Sequence, residues 1–103
     1  MTKPYVFHEE ATIESFKRDP EYAAEYLNAV LEDGTQEELM IALRRIAAAH
    51  GMKGVAETAK LNPKTLYRTL SSSGNPELRS FQAILGAMGM RLAVTPVNHA
   101  ANM

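Results

Sequence analysis

The chain contains no cysteine. That excludes a disulfide framework, a thiolate metal site and a cysteine nucleophile. It also suits a reducing compartment. No apolar run approaches the length of a membrane span. The opening residues "MTKPYVFHEE" lack the apolar core of a secretory signal. The expectation is a cytoplasmic protein with no membrane partner. Two chemical loops are missing as well. No G-x-x-x-x-G-K-[ST] phosphate loop occurs. No G-x-S-x-G nucleophile elbow occurs either. His8, His50 and His99 are scattered, without the spacing of zinc ligands. Nucleophile, base and orienting group do not converge anywhere, so neither an enzyme nor a cofactor is expected.

What is present fits one small domain: 103 residues, 46% of them apolar. The formal charge of −1 hides a division. Residues 1–38 hold ten acids and three bases, whereas residues 39–103 hold eight bases and two acids. The two halves are therefore −7 and +6. Such a split suggests a basic face for a polyanion and an acidic part with another task.

Helix signals dominate. Residues 9–18 read as a short helix with Ile13 and Phe16 inward, its early acids (Glu9, Glu10, Glu14) favouring the helix dipole. Asp19-Pro20 reads as N-cap and first turn of a second helix. Ala23, Leu27, Val30 and Leu31 keep its apolar spacing until Asp33-Gly34. Tyr22 and Tyr26 read as a core edge or a partner patch. Thr35-Gln36-Glu37-Glu38 is a capping-box pattern. The helix after it puts Leu39, Leu43, Ile46, Ala47 and His50 on one face and stops at Gly51. Arg44 and Arg45 read as its solvated side. Asn75-Pro76 repeats the cap-plus-proline start, followed by a stripe of Leu78, Phe81, Ile84, Leu85 and Met88 and a stop at Gly89. Met90, Leu92 and Val94 then alternate with Arg91, Ala93 and Thr95, which predicts one short strand ended by Pro96. A lone strand needs a partner. That partner is either Tyr5-Val6-Phe7 or the same strand of a second chain, and the second is favoured because it yields a two-fold dimer. The expected division is an acidic helical extension over 1–34, a DNA-binding domain over 35–97 and a frayed tail over 98–103.

The centre of the chain, "AKLNPKTLYRTLSSSGNPEL" (residues 59–78), decides the function. Val55, Ala56 and Ala59 give a short helix a small-residue face. Leu61 sits in a tight connection. Asn62 caps a second helix with Pro63 at its first position, and Leu66 and Leu70 point to the core. Helix, short turn, helix is the helix-turn-helix plan, whose second helix enters the DNA major groove. Asn62, Lys64, Thr65, Tyr67 and Arg68 fall away from the Leu66/Leu70 face. Arginine can pair with guanine, asparagine with adenine, and Lys60 and Lys64 supply charge for phosphate. Ser71 and Ser72 lead a run that reads either as a polar connector or as phosphate contacts. Gly74 is expected to take a positive φ. Many such turns begin with glycine. Lys60 stands there instead, which predicts a tighter or differently wound turn.

The stretch "GVAETAKLNPKTLYRTLSSSGNPELRSFQAILGAMGMRLAV", with "DPEYAAEYLNAVLEDG" upstream, resembles the addiction-module antidote (antitoxin) proteins with a lambda-repressor-like, Xre-type helix-turn-helix. The likeness covers about residues 19–96 and is most specific in "LYRTLSSSGNP" and "LGAMGMRLAV". It implies an all-α, five- or six-helix lambda-repressor-like domain with an N-terminal helical extension and one short C-terminal β-strand. It implies a bacterial antitoxin encoded beside a toxin resembling the RelE/ParE class. The antitoxin would neutralise that toxin by binding it and, as a homodimer, repress the shared operon at operator double-stranded DNA. DNA contacts carry over by position to Asn62, Lys64, Tyr67 and Arg68. A helix-turn-helix protein-interaction adaptor or a stand-alone transcriptional regulator is the alternative.

Overall fold

Six helices are packed around one core in the computed structural model, which describes residues 9–97, with side chains from residue 14 onward. In chain order they are α1 (Glu9–Arg18), α2 (Pro20–Asp33), α3 (Gln36–His50), α4 (Met52–Ala59), α5 (Pro63–Thr69) and α6 (Leu78–Ala87). The Ile13 side chain, Tyr5-Val6-Phe7, His8, His99 and the 98–103 tail lie outside what is described. Among the described residues no helix is long and apolar enough to cross a membrane.

The starts of α2 and α3 follow from side chains that replace missing backbone partners. Asp19 Oδ1 accepts from the amides of Glu21 at 3.1 Å and Tyr22 at 3.3 Å. Pro20 follows where no amide is needed. At α3, Thr35 Oγ1 accepts from the Glu38 amide (3.1 Å), and Glu38 Oε1 accepts from the Thr35 amide (2.9 Å). This is a complete capping box.

Helix α3 is the centre of the fold and packs on α1, α2 and α4. It therefore needs a wider apolar face than one stripe. Met40, Ala42 and Ala49 are buried alongside the expected Leu43, Ile46 and Ala47. The small alanines let neighbouring helices approach. Phe16 is fully buried and lies 5.0 Å from the Tyr26 ring and 5.5 Å from that of Tyr22. Tyr26 thus belongs to the core and Tyr22 to its edge. Helix α6 closes the other side by packing on α4, with Ile84, Leu85 and Met88 buried.

Several expectations are corrected. His50 is exposed, not inward, because it is the last residue of α3, where the chain leaves the core. Leu31 and Leu78 are also exposed, at 51% and 65%. Asn75-Pro76 does not start α6. The N-cap is Glu77, which makes no side-chain cap bond, so the pattern lies two residues too early. Gly74 does not take a positive φ. It is close-packed instead: a Cβ there would collide with the Thr69 carbonyl.

The C-terminal strand is absent: the described residues form no strand at all. A strand is a ladder, and among the described residues the 90–97 segment meets no second strand. Its Met90 amide closes the end of α6 by donating to the Leu85 carbonyl at 2.8 Å. Met90 and Leu92 pack against the core, whereas Val94 is 98% exposed. The segment forms one wall of an open groove of about 950 Å³, with α2 on the opposite side.

Candidate nucleic-acid interface

The segment between α4 and α5 is ordered by its own backbone. The Leu61 amide donates to the Ala56 carbonyl (2.8 Å) and the Lys60 amide to the Glu57 carbonyl (3.1 Å). This pair of bonds is a Schellman motif, which requires a left-handed residue after the helix. Lys60 supplies it, at φ 60 and ψ 42. The turn is therefore not rewound to spare the lysine. It has the geometry a glycine would give, with a charged side chain in its place.

Asn62 then starts α5. Its Oδ1 accepts from the Lys64 amide at 2.8 Å, and Pro63 follows at the first helical position. Leu66 and Leu70 are buried, which fixes the rotation of α5 on the core. That rotation exposes Asn62, Lys64, Tyr67 and Arg68, with Tyr67 at 50%. Lys64 and Arg68 are one turn apart on a single stripe, with Tyr67 beside them. Thr65 is half-buried next to this stripe. Lys60 is exposed at the turn that leads into it.

No carboxylate occurs between Glu57 and Glu77 in the chain. Among the described residues Lys60, Lys64 and Arg68 are exposed and have no ion-pair partner. The expected adenine contact by Asn62 is constrained, because reading adenine needs both the amide oxygen and nitrogen. Here the oxygen already holds the cap, and the nitrogen remains a donor.

After α5 the connector folds back on itself. The Ser71 amide donates to the Arg68 carbonyl and the Gly74 amide to the Ser71 carbonyl, at 3.2 and 2.8 Å. Ser71 is half-buried and Ser72 exposed. Arg68, Ser71 and Ser73 share an open depression of about 280 Å³. Gln36, at the start of α3, donates from Nε2 to the Gly74 carbonyl at 3.2 Å and ties the connector to the central helix. Sequence reasoning missed Gln36, since nothing local signals a bond across 38 positions. It also missed the groove between α2 and residues 90–97. The exposed Leu31 could have pointed to it.

A family model described as "Probable addiction module antidote protein" matches residues 9–96. A protein of Haemophilus influenzae, described only as uncharacterized, is 32% identical over 69 residues. That alignment spans 67% of this chain and 71% of the relative. No solved structure matches the chain. With the family model covering all six helices, the chain belongs to the probable addiction module antidote proteins.

Proposed function

We propose that the protein is the antidote of a toxin–antidote pair, that it neutralises a RelE/ParE-like toxin by binding it, and that it represses its own operon by binding operator DNA. The observation that carries the reading is the family match across residues 9–96. The exposed α5 face supports the DNA-binding half. In a helix-turn-helix reader the second helix enters the major groove. Here that helix offers Lys64, Tyr67 and Arg68 to solvent, with Lys60 and Asn62 at its entrance. Arg68 takes a guanine edge. Lys60 and Lys64 take phosphates, and the hydroxyls of Ser71 and Ser72 add backbone contacts. Thr65 packs at the margin of the contact.

The reader acts as a homodimer, because two α5 helices related by a two-fold axis meet two half-sites about one DNA turn apart. Residues 90–97 provide the edge. Past Met90 they make no backbone hydrogen bond among the described residues, which leaves amides and carbonyls open for a second copy. Met90 and Leu92 hold the segment on its own core, and Val94 faces the partner.

A protein-interaction adaptor that keeps the paired helices without reading DNA is the second reading. The engaged Oδ1 of Asn62 favours it, because the cap leaves that oxygen one lone pair and fixes its direction.

The deciding experiment pairs a mobility shift on the DNA upstream of the gene with co-purification of the adjacent reading frame's product. The antidote reading expects both to bind. Capture of the product without a DNA shift selects the adaptor, and failure of both removes the reading.

A further inference from the structure

The connector from α5 to α6 borders an open depression of about 280 Å³. Arg68, Ser71, Ser73 and Asn75 are among its lining residues, and the lining holds no carboxylate. Ser72 does not line it. Among the described residues the side chains of Arg68, Ser71, Ser73 and Asn75 have no hydrogen-bond or ion-pair partner. The backbone amides of Ser72, Ser73 and Asn75 donate to no group among the described residues either. Guanidinium, hydroxyl and carboxamide groups are all donors. One cation and several unengaged donors, with no carboxylate beside them, favour an anion.

The connector is held in one shape before any ligand arrives. The Gly74 amide donates to the Ser71 carbonyl at 2.8 Å. A Cβ at Gly74 would collide with the Thr69 carbonyl, so the connector lies directly against the end of α5. From α3, Gln36 Nε2 donates to the Gly74 carbonyl at 3.2 Å, across 38 positions of chain. Gly74 is the residue between the two donors Ser73 and Asn75. A tie at its carbonyl therefore fixes both neighbours, and a site fixed in advance loses less freedom on binding.

We infer that the depression is a subsite for one phosphate of the DNA backbone, with Ser73 and Asn75 as donors beside Ser71, and that Gln36 is its positioning residue. The inference rests on the DNA-binding half of the reading above and adds Ser73, Asn75 and Gln36 to it. Phosphate contacts fix register and orientation on the duplex without reading sequence. A phosphate held beside Arg68 sets how α5 enters the groove and where the Arg68 guanidinium meets a base edge. Neutral donors also differ from Lys60 and Lys64. They add affinity without releasing counterions, so they leave the salt slope alone.

The test uses the full chain and the shortest upstream duplex that the wild type shifts, with single uncharged methylphosphonates placed in turn along each strand. One phosphate per half-site should matter to the wild type and remain sensitive in Lys60→Ala and Lys64→Ala. Ser73→Ala/Asn75→Ala alters two exposed positions outside any helix. It should bind operator and scrambled duplexes about tenfold more weakly, with the wild-type salt slope, and be indifferent to the methylphosphonate at that phosphate. Gln36→Ala should bind about threefold more weakly and lose sensitivity at the same phosphate, a loss that lowered stability alone does not produce. Circular dichroism checks that each variant is folded. Retained sensitivity in either variant overturns the role assigned to it. A double variant that binds as wild type does overturns the subsite and leaves DNA binding by α5 intact. A wild type that shifts no upstream duplex overturns both. Inorganic phosphate alone should give no saturable shifts in amide NMR spectra. Saturable shifts confined to residues 71–75 would assign the depression to a free anion and also overturn the inference.

Discussion

Lys60 and Gly89 occupy the same position in two copies of one helix ending. After α4, Leu61 donates to Ala56 and Lys60 to Glu57. After α6, Met90 donates to Leu85 and Gly89 to Gly86. Both residues are left-handed, at φ 60 and φ 80. Glycine takes that conformation freely, whereas an L side chain crowds its own carbonyl there. One ending is relaxed and the other carries a strained, charged residue at the entrance to the proposed DNA-binding helix.

Lys60→Gly should therefore separate stability from binding. Relief of the left-handed conformation is worth about 1–2 kcal/mol, and the added chain entropy of glycine takes back about 0.5–1 kcal/mol. The net gain expected in urea denaturation is about 0.5–1 kcal/mol. In the same variant the log–log salt slope of DNA binding should fall by about one unit. A variant that is less stable than wild type would remove the strain argument.

Arg68 and Lys64 lie on one stripe and should fail in different ways. Arg68→Ala should cost about 1–3 kcal/mol on the operator and relax preference at one base pair. Lys64→Ala should weaken all DNA sequences alike and lower the salt slope by about one unit. Binding titrations on operator and scrambled duplexes at several salt concentrations separate the two. If Arg68→Ala reads its operator as wild type does, α5 is not the reading helix.

The Gln36 amide donates to the Gly74 carbonyl, and the Thr69 carbonyl occupies the place a Cβ at Gly74 would need. Gly74→Ala has no room for its methyl and should destabilise by about 1–3 kcal/mol. Gln36→Ala removes only an exposed hydrogen bond and should cost about 0.5–1.5 kcal/mol. The order of the two midpoints in thermal or urea unfolding checks this. A more damaging Gln36→Ala would mean that the tie to α3, not the tight turn, holds the connector.

Val94 is the probe for the homodimer. Leu92 packs on the core, so a charge at 92 would confuse unfolding with dissociation. Val94 is 98% exposed, and Val94→Asp should leave helical content intact. Sedimentation at tens of micromolar should show a dimer for wild type and a monomer for the variant. A monomeric wild type ends the idea.

The helix starts at Asp19-Pro20, Thr35 and Asn62-Pro63 were legible because a cap is a local bargain: the side chain bonds an amide two or three residues away. The same logic misfired at Asn75-Pro76, where the chain stays irregular until Glu77. The outward face of α5 was legible too, since burial of Leu66 and Leu70 fixes its rotation. Lys60 was not. Its conformation is imposed by the bonds to Ala56 and Glu57, and the residue type argues against it. The strand over 90–96 was read from alternation, which real burial reproduces at Met90 and Leu92 only. Alternation cannot supply the second backbone that a ladder needs. The groove was invisible for a different reason: its walls, at Leu31 and Leu92, are far apart in the chain.

The pairing of α4 with α6 has a consequence for how the chain comes off the ribosome. Helices α1, α2 and α3 pack on one another, so the first half can settle as soon as it is made. Such neighbour-to-neighbour helical topologies fold on the order of microseconds to milliseconds. Helix α4 differs, because it packs on α6 as well as α3, and Met88 must be synthesised before that closure is complete. At about 5–20 residues per second, the stretch from Ala59 to Met88 takes a few seconds to appear. Through that interval Val55, Ala56 and Ala59 wait without their α6 cover. Synthesis, rather than the folding barrier, sets the moment at which the half built from α4, α5 and α6 becomes a finished surface.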